Sequence, residues 1–397
     1  MLEIIYASFH CSEKMFKQVF ENSKQKPGQA VQKYNRLLAE GLARQKDTSV
    51  TVVCEMPITE NNYCKRIYYK GEEENNKVRY IYIPLFNMHR IKDLLAIITT
   101  FFTCMPFFIR KKNIVAVADI LNAPVALGTY LAAKLCRKSY VAIITDAPEF
   151  VFYDSDKAYK FVSMFLIKRA SAYVFLTQQM DELYNKTNRP YTIIEGLVEY
   201  NGLIGKSFEE EINVDKRKIC MYTGSIHEKY GIGNLVEGFI KANIPNVELH
   251  IYGDGDYREK LKRICQRYVA IKYFGNVLSE EVIKKQKGAT LLVNPRPTTG
   301  EFTKYSFPSK NIEYMASGTP VLTTRLPGIP EIYFRYVYSI EESTPAEIEL
   351  ALKEIFSKRE ETISERGSEA RKFVLEQKNN VIQAKKLIIM LNELLIK

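Results

Sequence analysis

The residues with the clearest chemical potential lie between positions 305 and 320, which read Tyr-Ser-Phe-Pro-Ser-Lys-Asn-Ile-Glu-Tyr-Met-Ala-Ser-Gly-Thr-Pro. Ser309 is suited to the N-cap of a short helix over Lys310–Ala316, and Gly318 is suited to end it. Backbone N–H groups, hydroxyls and the Lys310 cation would then meet at a helix N-terminus. Such an arrangement stabilises an anionic group.

Glu313 lies one turn into the same predicted helix, on the face that also holds its start. A carboxylate at this place can accept hydrogen bonds from two neighbouring hydroxyls of a sugar. A nucleoside diphosphate needs this pairing, with its phosphates at the helix tip and its ribose at the carboxylate. Ser306–Lys310 and Glu313 therefore predict a nucleoside diphosphate site.

Glycines follow several other candidate strands, in loops that could bind parts of the same ligand. Gly224-Ser225, with Lys229 close behind, suits a diphosphate, although a glycine after a strand is also common in an ordinary turn. Gly275 and Val277 lie in a bend that exposes backbone groups, as a base-binding edge does.

Two Asp-x-Asp pairs suggest a divalent cation at first sight. Gly253 precedes the pair Asp254 and Asp256, and a second pair is Asp154 and Asp156. A tight turn with a helix N-cap explains the first pair better, and the second lies in a polar loop without further ligands. We therefore expect no metal ion at either pair.

The elements that must position these loops alternate between strands and helices in both halves of the chain. Such alternation predicts two doubly wound α/β domains, in which ligands bind beyond the carboxyl ends of the strands. We expect a first domain over residues 1–205, a second over 206–378, and a C-terminal helix over 379–397 that completes the first. The candidate strands are Leu2–Ser8, Ser49–Glu55, Val78–Leu85, Asn113–Asp119, Tyr140–Thr145, Ala172–Leu176, Tyr191–Glu195, Lys218–Thr223, Glu248–Tyr252, Ile271–Phe274, Thr290–Asn294 and Pro320–Thr324.

Composition excludes several other classes of protein. The chain is 46% hydrophobic and 26% charged, with seven scattered cysteines, four dispersed histidines and a net charge of +11. The cysteines form no Cys-x-x-Cys pair, which favours reduced thiols over disulfides or zinc. No nucleic-acid-binding motif accompanies the basic charge, and no Gly-x-Gly-x-x-Gly of a dinucleotide-dependent oxidoreductase follows the first strand. Met1–Ser8 reads as a buried strand rather than a signal peptide, so we expect a cytoplasmic protein.

The stretch from Phe307 to Val321 resembles the donor-site signature of glycosyltransferase family 4, particularly its bacterial surface-polysaccharide branch. The resemblance continues in family order at residues 222–231, 252–255 and 274–277. It implies a GT-B fold, with two Rossmann-like domains facing across a cleft. It also implies retention of anomeric configuration, no obligatory cofactor or metal, and a nucleotide-sugar donor.

Family roles carry over to matching positions. Glu313 corresponds to the ribose-binding second glutamate of a Glu-x7-Glu motif, Lys229 to the residue that neutralises the diphosphate, and Val277 to the base-contacting backbone. The resemblance assigns donor binding to Gly224, Ser225, Gly253, Gly275, Val277, Tyr305, Ser306, Phe307, Pro308, Ser309, Lys310 and Glu313.

The sequence departs from the family at two donor-site positions. Tyr305 replaces the first glutamate of the motif, so that its sugar contact is either missing or supplied by Glu301. Ser225 replaces an arginine, which leaves Lys229, with Lys310 or Arg296, to balance the leaving group.

The first half matches the family only loosely. Asp146 stands where the family often has a catalytic-site histidine, and it is either catalytic or a turn residue. His10 after the first strand, and Gly28-Gln29 at a helix start, are candidates for contact with phosphate or acceptor, although a lone loop histidine can also be merely exposed.

These features together predict a retaining glycosyltransferase that moves a sugar, UDP-linked by expectation, to a lipid-linked or oligosaccharide acceptor in surface polysaccharide synthesis. A GT-B nucleotide-sugar epimerase and a non-catalytic sugar- or lipid-binding protein are the alternatives. Leu94–Ile109 is mostly apolar, is shorter than a spanning helix and contains Pro106 as an interruption. It is either a buried helix or an interfacial patch for anionic membrane, which Phe161–Ile167 could extend.

Overall fold

The computed structural model describes residues 1–24, 26–59, 67–69, 71–152, 156–200, 218–277 and 279–396, without the side chains of residues 89, 90, 279 and 280. The chain forms two compact units. The first contains Met1–Glu199 and Asn379–Lys397, and the second contains Tyr200–Lys378. The domain boundary expected between residues 205 and 206 lies outside the described residues.

The first unit is built on an eight-stranded sheet with the order β10-β9-β8-β7-β1-β2-β5-β4, parallel except for the last strand. A separate antiparallel pair joins β3 and β6. The order places β1 between β2 and β7, so the direction of winding changes there, and ligands of such sheets bind beside this point. The strands are β1 (Leu2–Ser8), β2 (Thr48–Cys54), β3 (Ile67–Tyr68), β4 (Gly71–Asn75), β5 (Val78–Tyr82), β6 (Leu85–Phe86), β7 (Ile114–Asp119), β8 (Tyr140–Ile144), β9 (Ala172–Phe175) and β10 (Tyr191–Ile193).

Helices cover this sheet, and its middle strands are buried along almost their whole length. All six residues of β7 and all five of β8 are buried, as expected for parallel strands between helical layers. The helices are α1 (Glu13–Asn22), α2 (Ala30–Ala43), α3 (His89–Arg110), α4 (Ala123–Leu135), α5 (Pro148–Val151), α6 (Lys157–Arg169) and α7 (Gln178–Tyr184).

The second unit has a six-stranded parallel sheet with the order β13-β12-β11-β14-β15-β16. Its winding changes direction between β11 and β14, which places the loops after these two strands side by side. The strands are β11 (Lys218–Thr223), β12 (Val247–Tyr252), β13 (Ile271–Gly275), β14 (Leu291–Asn294), β15 (Val321–Thr324) and β16 (Tyr338–Ile340). The helices are α8 (Ile232–Ala242), α9 (Arg258–Arg267), α10 (Ser279–Lys287), α11 (Ser309–Ser317), α12 (Pro345–Ser357) and α13 (Glu360–Gln377).

The C-terminal helix α14 (Asn380–Ile396) belongs to the first unit and packs against α2. Asn380 donates its backbone N–H to the Val198 carbonyl at 2.9 Å and its side-chain amide to the Leu37 carbonyl at 3.0 Å. Gly41 of α2 lets the two backbones meet, because a Cβ there would lie 2.2 Å from the Asn380 carbonyl oxygen. The last helix is thereby fastened to the first domain over a long sequence separation.

Helix α3 corrects one expectation. The sequence predicts that Pro106 interrupts the apolar stretch, but the helix continues through it for 22 residues. Packing against α4 outweighs the backbone hydrogen bond that proline cannot donate: a Cβ on Gly128 of α4 would lie 2.5 Å from the Ile97 carbonyl. By length and composition, the part from Ile91 to Arg110 could cross a membrane.

The edge strand β4 was not expected from the sequence. Its residues, Gly-Glu-Glu-Glu-Asn, lack the apolar alternation that marks a strand. The structure pairs it with β5 through a hairpin in which Asn76 and Lys77 both have positive φ. A charged edge strand is one way to prevent pairing with a second chain.

We expect Gly41→Ala to lower the stability of the first unit by about 1–3 kcal/mol, because the added methyl must push α2 and α14 apart. Replacing a helical glycine by alanine by itself stabilises a helix by about 1 kcal/mol, and the loss from the steric clash should exceed this gain. Calorimetric melting would measure it. Gly28→Ala is the control, since a Cβ at Gly28 meets nothing within 4 Å; equal melting temperatures for the two variants would refute the close helix contact.

Candidate functional site

Three glycines form a row at the carboxyl ends of β11, β12 and β13. The Gly224 N–H donates to the Tyr252 carbonyl at 2.9 Å, and the Gly253 N–H donates to the Gly275 carbonyl at 2.7 Å. Gly253 has φ of 137°, and a Cβ on it would lie 1.7 Å from the Gly224 carbonyl oxygen. The loops that the sequence singled out separately are therefore in contact, and glycine is required for their approach.

Tyr314 fastens helix α11 to the end of β11. Its hydroxyl donates to the Thr223 carbonyl at 2.8 Å and accepts the Thr223 N–H at 2.8 Å. Tyr314 is fully buried, and burial raises the pKa of its phenol. Since Thr223 immediately precedes Gly224, this contact holds the start of α11 next to the first glycine loop.

Lys310 and Glu313 form an ion pair on α11, with 3.0 Å between Nζ and Oε1. Lys310 also lies over the first loop, because a Cβ on Gly224 would be 3.8 Å from its Cε. Gln286 of α10 donates its side-chain amide to the same Glu313 oxygen at 3.0 Å. The predicted phosphate and ribose groups are thus neighbours, and Gln286 joins them without having been predicted.

Two further cations border this cluster. Arg296, which follows β14, lies with its guanidinium 4.8 Å from the ring centre of Tyr230 and 5.6 Å from that of Phe302. Its Nη1 donates to the Ser306 hydroxyl at 3.3 Å. Lys229 lies 5.2 Å from the same Tyr230 ring. Aromatic contacts therefore orient two positive groups beside the Gly224 and Ser306 loops.

The sequence was wrong about the N-cap of α11. The helix begins at Ser309, its capping residue is Pro308, and no side chain makes a capping hydrogen bond. Pro308 has the extended conformation of a cap but lacks a capping oxygen, so the first N–H groups of α11 depend on other partners. The predicted stop is confirmed, since Gly318 is left-handed with φ of 86°.

The other donor-site candidates lie around this helix start. Phe307 is buried against Tyr333, Tyr305 ends a 3-10 helix that begins at the exposed Glu301, and Val277 is half-buried after β13. Ser225 is exposed, and its carbonyl accepts the Tyr222 hydroxyl at 2.7 Å.

The Asp254 and Asp256 pair is engaged by side chains of the protein itself. Arg258 contacts Asp254 at 3.2 Å, and the His227 ring contacts Asp256 at 3.1 Å. The hydrogen bond from His227 lowers the pKa of Asp256. Within the described part of the chain, no group of three or more His, Cys, Asp or Glu side chains could hold a metal ion. Asp154 of the second pair lies outside the described residues.

The carboxyl edge of the first unit carries a carboxylate that the sequence missed. Asp119 ends β7, is fully buried, and accepts the Leu121 N–H at 3.1 Å and the Asn35 amide at 2.9 Å. Burial raises its pKa to about 6, and the charge of Asp146 adds to the effect. Asp146 is half-buried after β8 and does not cap α5, whose N-cap is Ala147 without a side-chain bond.

The alternative of a merely exposed loop histidine is wrong for His10. It is fully buried between the rings of Tyr6 and Tyr80, and neither ring nitrogen has a hydrogen-bond partner among the described residues. Burial, with a contribution from Arg36, lowers its pKa to about 3, so the imidazole is neutral. Gly28 is exposed and Gln29 precedes α2, as predicted. Contact of these three residues with a phosphate or acceptor stays a prediction.

The second unit matches a known family. Residues 205–373 fit the family model described as Glycosyl transferases group 1. This part of the chain is therefore similar to glycosyltransferase group 1 domains, and the chain is an enzyme of the glycosyltransferase class. No curated protein matches the chain in sequence.

Solved structures match the fold over nearly the whole chain. Sucrose-phosphate synthase from Thermosynechococcus elongatus has a TM-score of 0.70 at 14% identity, covering 100% of both chains. Anabaena HepE in complex with UDP has a TM-score of 0.64 at 13% identity, covering 99% of this chain and 100% of its own. A UDP-forming trehalose-phosphate synthase from Burkholderia xenovorans, with glucose-6-phosphate, has a TM-score of 0.68 at 10% identity, covering 98% and 100%. The expected GT-B fold with two Rossmann-like domains is confirmed.

We expect Tyr314→Phe to lower the stability of the second unit by about 1–3 kcal/mol, because the buried Thr223 N–H loses its hydrogen-bond acceptor. Chemical denaturation would measure the change. Tyr268→Phe is the control, since that ring is 39% exposed. A Tyr314→Phe protein as stable as this control would show that the hydroxyl does not fasten α11.

Proposed function

We propose that the chain is a retaining glycosyltransferase that uses a UDP-linked sugar and acts on a lipid-linked saccharide during surface polysaccharide synthesis. The group 1 domain and the GT-B fold support a nucleotide-sugar donor. Of the structural neighbours described above, HepE is in complex with UDP, and the trehalose-phosphate synthase is UDP-forming. The resemblance of the stretch from Phe307 to Val321 to the bacterial surface-polysaccharide branch supports the acceptor class.

The observation that carries the donor proposal is the contact of Lys310 with Glu313 beside Gly224. In the proposed complex the ribose hydroxyls donate to Glu313, and Lys310 exchanges its carboxylate partner for a phosphate oxygen. Cation and carboxylate stand 3.0 Å apart in the structure, so a small side-chain movement suffices.

In the proposed reaction the bond between the sugar C1 and the β-phosphate oxygen breaks, and the bond between C1 and the acceptor oxygen forms on the same face. The acceptor proton passes to the leaving phosphate oxygen. Negative charge that develops on the phosphate is stabilised by Lys229, Lys310 and Arg296. Ser225 stands where the family often has an arginine. The guanidinium of Arg296, held by its aromatic neighbours, is well suited to supply the missing positive charge.

The proposed membrane surface is the outer face of α3. Its inner stripe, including Thr100 and Cys104, is buried, whereas apolar side chains on the opposite face are exposed. Among these, Leu94 is 59% and Phe102 67% exposed. Exposed apolar residues at helical spacing favour an interfacial helix over a buried one. The outer stripe consists of Ile91, Leu94, Ile98, Phe102 and Ile109.

Neighbouring helices extend this surface. Helix α4 packs against both α3 and α6, and Leu135 of α4 and Phe161 of α6 are 66% and 73% exposed. Lys92 and Lys111 pair with Glu55 and Glu3, and Arg110 and Lys112 are further exposed cations at the end of α3. Apolar side chains flanked by cations match an anionic lipid surface, where a lipid-linked acceptor would be found.

We expect Glu313→Ala to raise the donor KM and to lower turnover by about tenfold to a hundredfold, because the ribose loses a charge-assisted acceptor. Release of UDP from UDP-sugars in the presence of an acceptor would measure both constants. Glu361→Ala, which removes an exposed carboxylate of α13, is the control. Unchanged constants for Glu313→Ala would remove the ribose assignment, and failure of the wild-type protein to bind any nucleotide sugar would overturn the proposed function.

We expect the wild-type protein to float with anionic liposomes and the double variant Leu94→Glu, Phe102→Glu to remain in solution, because two carboxylates on α3 oppose apolar burial and meet anionic headgroups. Leu350→Glu is the control, since Leu350 is 66% exposed on α12 of the other unit. If the wild-type protein does not float, or if the control is released equally, α3 is not the membrane surface.

A further inference from the structure

Gln286 is a fully buried side chain at the end of α10. Its Nε2 lies 3.0 Å from Glu313 Oε1 and 3.0 Å from Thr223 Oγ1. Its backbone carbonyl accepts the Thr319 hydroxyl at 2.7 Å, which fixes the main chain independently of the amide. The side chain therefore bridges the last residue of β11 and the second turn of α11.

The chemistry of Glu313 determines which way the amide faces. An ionised carboxylate only accepts hydrogen bonds, so the NH2 group and not the carbonyl oxygen of Gln286 must face it. Both amide protons are then used, one on Glu313 and one on Thr223. The Gln286 Oε1 is buried without a hydrogen-bond partner in the described residues. A buried orphan acceptor is costly, and a functional demand on the two donors explains its presence.

Lys310 and Gln286 differ in how firmly they hold the carboxylate. Both donate to Oε1 of Glu313 at 3.0 Å, but the Lys310 side chain is 33% exposed and Gln286 is fully buried. A long exposed lysine can turn to a phosphate at little cost, whereas the buried amide has no alternative position. Gln286 is also uncharged, so it orients Glu313 without neutralising it.

We infer that Gln286 is a positioning residue of the donor site, which holds the Glu313 carboxylate toward the ribose hydroxyls and ties it to Thr223 at the head of the Gly224 loop. This inference rests on the proposed function. When Lys310 leaves for the diphosphate, Gln286 remains as the donor that keeps Glu313 in place. The ribose-binding and phosphate-binding parts of the site are thereby held at a fixed distance from each other.

The test compares UDP with 2′,3′-dideoxy-UDP, which lacks both ribose hydroxyls, by isothermal titration calorimetry. In Gln286→Met, which keeps the volume and removes the donors, we expect UDP affinity to fall about tenfold, the equivalent of one charge-assisted hydrogen bond. Affinity for the dideoxy nucleotide should change less than about twofold. In a Glu313→Ala background, Gln286→Met should cause no further loss, because the effect passes through the carboxylate.

Thr319→Val is the matched control, since it removes the bond to the Gln286 main chain and leaves the amide contacts in place. It should lower the melting temperature and affect both nucleotides equally. If Gln286→Met does not fold, Gln286→Glu keeps the shape, repels Glu313 and should show the same selectivity.

Equal losses for the two nucleotides, or additive losses with Glu313→Ala, would reduce Gln286 to a structural residue. Absence of UDP binding by the wild-type protein would instead refute the donor site itself.

Discussion

The hydroxyl of Tyr314 is the contact on which the proposed donor site depends. It pairs with both backbone groups of Thr223, so that helix α11 cannot move without the end of β11. Gln286 adds a second tie between Thr223 and Glu313. Because these bonds are buried, water cannot replace them, and breaking one leaves a polar group unpaired. The Gly224 loop and the Glu313 carboxylate, the proposed phosphate and ribose contacts, consequently form one rigid part of the second unit.

Glycine makes the other half of this arrangement possible. The carbonyl of Gly224 approaches Gly253 so closely that any side chain there would collide with it. Three strand ends therefore present backbone rather than side chains, and the cations stand around them. Lys229 and Arg296 are oriented by the Tyr230 ring, whereas Lys310 is held by Glu313. Three cations held in place around these strand ends would suit the diphosphate of the proposed donor before it binds.

Sequence patterns predicted the elements better than the contacts between them. Continuously apolar runs located strands such as β8, since burial between two helical layers leaves a signal in every residue. The edge strand β4 left no such signal because it contains no apolar side chain. The cap of α11 was misassigned because serine satisfies the local preference, whereas the chain turns into the helix at Pro308. His10 was misjudged for a similar reason, since its burial comes from Tyr6 and Tyr80 on two strands.

The sequence by itself determined the α/β class, the succession of strands and the short motifs of the proposed donor site, because these depend on neighbours along the chain. Only the tertiary structure decided that Gln286 reaches Glu313, that Arg296 stands beside Ser306, and that α3 leaves an apolar face exposed. These relations join residues on different elements, and their distances follow from strand order and helix packing. No local spacing encodes them.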